Sequence, residues 1–122
     1  MKGVTPMDNQ KQYIMKNIET SKVLTLEDEI SYQKGQVVSK TLIQNQNISI
    51  TLFSFDVGEE ISAHSSDGDA MVTILDGMGK FTVGDEIFIL KKGETIIMPN
   101  HISHAVYGEE QFKMLLTVVF GH

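Results

Sequence analysis

The sequence predicts an all-β fold, a single-domain small antiparallel β-barrel or jelly-roll. Three observations carry this. From about Val23 onward, short apolar runs recur with turn residues between them. No apolar stripe of 3.6-residue period persists beyond three turns, so nothing competes as a long helix. With 122 residues the chain can bury one core but has no room for a second catalytic domain, and barrel closure hides the sheet edges that so many short strands would expose.

In chain order, residues 1–20 form a polar segment, read either as a short helix around Tyr13-Ile14-Met15 or as a strand exchanged with a partner. Residues 21–120 form the barrel. Residues 1–6, ahead of Met7, and the terminal Gly121-His122 receive no role, because chain ends fray. Residues 37–44 and 48–56 read as a hairpin across Asn45-Gln46-Asn47, with Ile48, Ile50 and Leu52 on one face and Ser49, Thr51, Phe53 and Phe55 on the other. Residues 70–75 and 80–83 read as two strands separated by a glycine corner at Asp76-Gly77-Met78-Gly79. Gly84-Asp85 suits a type II′ turn between residues 81–83 and 87–90. Lys91-Lys92-Gly93 closes that strand, residues 95–98 form the next, and Pro99 ends it by withholding an amide donor. Residues 112–120 form the last strand.

That last strand and residues 71–75 are apolar on both faces, so each needs cover on its second side. A second sheet or another subunit can supply it, and a homodimer is the preferred assembly.

Composition narrows the functional classes. Hydrophobic residues make up 41% and charged residues 21%, an ordinary globular balance, and no run approaches a membrane span. The net charge of −6 is spread along the chain and Lys91-Lys92 is its only adjacent basic pair, which argues against nucleic acid as a partner. The absence of cysteine removes disulfides, thiolate metal sites and cysteine nucleophiles together. A polar N-terminus without an apolar run does not read as a secretory signal, so a cytoplasmic location is expected.

His64 and His104 each lie in a segment with specific glycine and proline spacing. Gly58, His64 and Gly77 frame the first, and Gly93, Pro99 and His104 the second. These spacings resemble the two motifs of the cupins, and the resemblance covers residues 53–120. It implies a barrel with a site inside it. In metal-bearing cupins the ligands are two first-motif histidines, a glutamate and the second-motif histidine. Here the second histidine position is Ser66, the glutamate position is Ala70, a second-motif glycine is His101 and its asparagine is Gly108.

Two imidazoles fall short of the three or four protein donors that a first-row divalent ion needs. His64 and His104 are therefore candidate ligands for a weakly bound divalent transition metal only, with no firm cofactor. Alternation places Ser66 inward beside His64, sets Asp67-Gly68-Asp69 in a solvated turn, and leaves His101 on the rim. Serines near His64 do not make a hydrolase, since no nucleophile elbow accompanies them. The leading expectation is a small-molecule-binding barrel with His64, Ser66 and His104 as polar anchors and Val72, Ile74 and Met98 as apolar walls. The alternative is a metal-dependent dioxygenase, isomerase or epimerase using His64 and His104.

Overall fold

A computed structural model describes residues 13–121, so expectations resting on residues 1–12 and on His122 lie outside the described residues. Seven strands follow one another: β1 (Val37–Gln44), β2 (Ile48–Phe55), β3 (Glu60–His64), β4 (Gly68–Val83), β5 (Glu86–Lys91), β6 (Thr95–Met98) and β7 (His104–Phe120). All pairings are antiparallel. Among the described residues there is no α-helix. A single 3-10 turn spans Leu26–Glu29, and Tyr13-Ile14-Met15 are not helical.

The β1–β2 hairpin forms where expected. Asn45 makes its turn, because its Oδ1 accepts from the amides of Asn47 (2.8 Å) and Ile48 (3.0 Å) and so replaces a ladder bond at the strand end. At the β4–β5 turn Gly84 takes φ +60°, as the first position of a type II′ turn requires.

Three expectations change. The glycine corner at residues 76–79 is no corner: β4 runs unbroken through it, with register shifts against β7 at Ile74/Asp76 and Gly77/Gly79. Gly77 has φ +73°, and a Cβ there would overlap the Gln111 carbonyl oxygen, so the glycine serves a bulge that bends the strand. The strand also starts earlier, at Gly68, which with Asp69 pairs to Phe120 and Val119 instead of forming a solvated turn. Likewise β7 starts at His104, not at residue 112.

These two long strands build the fold. The N-terminal half of β4 pairs with β6 and with the C-terminal half of β7, which also carries β2 and β1. The C-terminal half of β4 pairs with β5 and with the N-terminal half of β7, which also carries β3. Bending at the bulges thus folds one continuous ladder into two facing layers. Between them lies the main core, where Phe112 stacks on Phe55 (4.5 Å, 13°) and meets Phe81 edge-on (6.0 Å, 72°), all three fully buried.

The second face of the β1–β2–β7 layer is covered by the chain itself, a source of cover the sequence did not suggest. Ile18, Leu26 and Ile30 pack with Leu42, Leu52 and Leu115 in a second cluster. Polar bonds fix this segment: Lys113 Nζ donates to Glu27 O (2.6 Å), Ser54 Oγ to Ser31 O (2.9 Å) and Tyr32 Oη to Asp76 Oδ2 (2.6 Å). Burial first, then that bond, pushes the Tyr32 hydroxyl far above the ordinary tyrosine range. No helix among the described residues is long and apolar enough to cross a membrane.

Candidate functional site

β3 ends on His64 and β7 begins on His104, and the two residues are direct cross-strand partners. Forty positions of sequence thereby close to 4.4 Å between ring centroids, with the rings at 71°. His104 is buried at 4% exposure and His64 is exposed at the rim. Each ring is oriented by its own strand end: Nδ1 of His64 lies 2.9 Å from Ser62 O, and Nδ1 of His104 lies 3.2 Å from Ile102 O. A carbonyl only accepts, so both Nδ1 atoms carry a proton, and in a neutral ring Nε2 is then the nitrogen that keeps its lone pair. Burial, and then the neighbouring His64 ring, hold His104 below the ordinary histidine range, although the Ile102 bond works the other way.

Beside the pair lies a cavity of about 120 Å³. Of the residues expected there, His64, Ser66, Met98 and His104 line it. Ser66 faces it but turns its hydroxyl to the backbone, donating to Gly68 O at 3.0 Å. Val72 and Ile74 do not line it. They point inward as alternation requires, but the core closes over them at 0% and 1% exposure and leaves them no share of the wall. The remaining wall comes from Phe53, Ile61, Ala70, Val106 and the inward residues Met114, Leu116 and Val118 of β7. Ala70 presents a methyl group where a carboxylate would otherwise stand, and no acidic side chain lines the cavity. His101 stays outside as expected, its side chain 68% exposed and 3.7 Å from Asp67 Oδ1. It adopts φ +65°, a left-handed conformation at the position where the resemblance calls for glycine. Its amide donates to Ser66 O (3.1 Å), tying the loop before β7 to the one after β3.

A family model, the cupin domain, matches residues 51–120, a span that contains both histidines. The chain belongs to the cupin family. Among solved structures, this cupin is similar to a conserved protein of unknown function from Streptococcus pyogenes, with 47% identity and a TM-score of 0.89 over 91% of this chain and 97% of the other. It is similar also to a cupin superfamily protein from Desulfitobacterium hafniense, with 33% identity and a TM-score of 0.84 over 88% and 98% of the two chains. A cupin 2 conserved barrel domain protein from Leptotrichia buccalis shares 45% identity and a TM-score of 0.77 over 79% of this cupin and 47% of that longer chain. Among curated proteins, none gives a significant match.

Metal-bearing cupins raise the question of an ion at this pair. The donor set here does not fit a resident one: two imidazole nitrogens, a hydroxyl committed to Gly68 and a methyl at position 70. Among the described residues, no group of three or more His, Asp or Glu side chains is placed to hold a metal.

Proposed function

We propose that this cupin is a small-molecule-binding barrel whose ligand is apolar, no larger than a single ring, and carries one hydrogen-bond donor, as a phenol or a short alcohol does. One observation carries the reading: both imidazoles spend their proton on backbone carbonyls, so the polar end of an otherwise apolar cavity offers acceptors. The size supports it, since an apolar cavity of about 150 Å³ accommodates benzene and this one is about 120 Å³. His64 and His104 anchor the donor head, and Met98 and the β7 residues wall the apolar body. Protonation of the imidazoles at acidic pH turns acceptors into donors and shifts the preference toward carboxylates.

Calorimetric titration at mildly alkaline pH with phenol and with benzoate tests this. Saturable phenol binding that His104→Ala abolishes supports the reading. Benzoate binding without phenol binding refutes it. Elemental analysis of protein grown with several transition metals addresses the second reading, a metal-dependent dioxygenase, isomerase or epimerase. Near-stoichiometric metal that disappears in the His64→Ala, His104→Ala double variant would replace the first reading with that one.

A further inference from the structure

Among the described residues four strands have an open edge, and three of those edges are guarded. On β1, Lys16 N donates to Leu42 O (2.7 Å) and Asn17 Nδ2 to Thr41 O (2.8 Å), beside the bulge at Thr41/Ile43. β3 is five residues long with a register shift, and β6 is four residues long and ends at Pro99. Short, bulged or covered edges do not recruit other chains.

β5 has none of these devices. It pairs with β4 without a shift from Val83↔Glu86 to Met78↔Lys91. The two-residue turn makes Val83 and Glu86 a hydrogen-bonded pair, so bonded positions fall at 86, 88 and 90, and the amides and carbonyls of Ile87, Ile89 and Lys91 point away from β4. Those of Lys91 are used: its N donates to Glu94 Oε1 (2.9 Å) and its O accepts from Glu94 N (3.0 Å). Ile87 and Ile89 remain as the open rungs. The two residues are 63% and 50% exposed, and with Phe88 and Ile97 they border an open groove between β5 and β6.

We propose that β5 pairs antiparallel with β5 of a second copy of this chain, about a two-fold axis at Phe88. In this register Ile87 of each copy bonds Ile89 of the other, so both open rungs on both copies are used. Centring on Ile89 would set Ile87 against Lys91, whose groups Glu94 holds. Centring on Ile87 would set Ile89 against Asp85 in the turn. With Phe88 at the axis, Lys91 comes opposite Asp85 of the second copy at both ends of the ladder, and the exposed isoleucines cover one another. The two cores then join through one continuous sheet, whose β5 edge starts at Glu86, two strands across from His104 by way of Val83.

Sedimentation equilibrium on the full chain tests the pairing. The expected mass is twice 13.6 kDa. Ile89→Lys is expected to give a monomer with an unchanged far-ultraviolet circular dichroism spectrum. Lys91→Asp and Asp85→Lys, each placing like charges opposite one another, weaken dimerisation severalfold to about tenfold, and the double reversal restores it. A wild-type chain that stays monomeric at millimolar concentration overturns the proposal, as does a dimer that Ile89→Lys leaves intact. Failure of the double reversal to recover the dimer overturns the register.

Discussion

Ala70→Leu should make this protein more stable and stop it binding its ligand. Ala70 lies in the cavity wall at 2% exposure, on the inward face of β4, opposite Met98 of β6 and Val118 of β7. Cavities destabilise by about 24 cal/mol per Å³, so the whole 120 Å³ corresponds to roughly 3 kcal/mol. Three added carbons fill about two-thirds of that space, giving about 2 kcal/mol, and fixing the leucine rotamer costs about 0.5–1 kcal/mol. The net gain is about 1–1.5 kcal/mol, or a Tm rise of roughly 4–6 °C for a domain of this size. Urea denaturation gives the free energy directly, and the phenol titration gives the loss of binding. A fall in stability would mean that the wall cannot accept the side chain, which would refute the cavity. Unchanged phenol affinity would place the ligand elsewhere. A gain in stability bought with lost binding is the pattern expected when an unfilled space is functional.

Four further outcomes follow from the site. His104→Ala should weaken phenol binding at least tenfold while His101→Ala leaves it near wild type, and equal losses would show the facing assignment to be wrong. His101→Gly should stabilise the chain by about 1 kcal/mol by relieving the left-handed backbone at φ +65°, and a melt with no rise would remove strain from the account. Ser66→His with Ala70→Glu should raise transition-metal affinity by supplying the missing donors, and unchanged affinity in a metal titration would undermine the placement of residues 66 and 70 beside the histidine pair. The fourth concerns pH. His104 titrates below the ordinary histidine value of 6.5 when folded, so between the two values the unfolded chain binds more protons. Stability is thus complete above 6.5 and declines as pH falls toward the folded value. Melting curves from about pH 8 to about pH 5 should show a decline that His104→Asn flattens, and parallel curves for the two proteins would contradict it.

Much of the fold was legible because turn chemistry is local. Asn45, Gly84 and Pro99 each act through their own backbone, and the strands they bound appear where expected. Gly77 misled for the same reason: a left-handed glycine serves a corner or a bulge equally well, and only its close approach to Gln111 in a distant strand decides between them. The histidine pair was legible through its spacing. The cavity wall was not, because β7 carries apolar residues at successive positions and offers no alternation from which to pick Met114, Leu116 and Val118. Nor does parity alone reveal depth, which is why Val72 and Ile74 were placed on a wall that lies above them. The segment carrying Ile18, Leu26 and Ile30 has no period to detect, since irregular backbone holds it through bonds to residues as distant as Lys113.

The sharing of β4 and β7 between both layers has a kinetic meaning. Their ladder joins Gly68 to Phe120 and Val83 to His104, contacts that cost chain entropy before any core forms. Neither layer closes without it, and the partner of His64 is the first residue of that ladder's second strand. Folding should therefore be slow for a chain of this length, with the binding site appearing in the same step as the barrel. A ligand added to refolding protein should slow unfolding and leave the folding rate alone, because no half-built form of the molecule has anywhere to hold it.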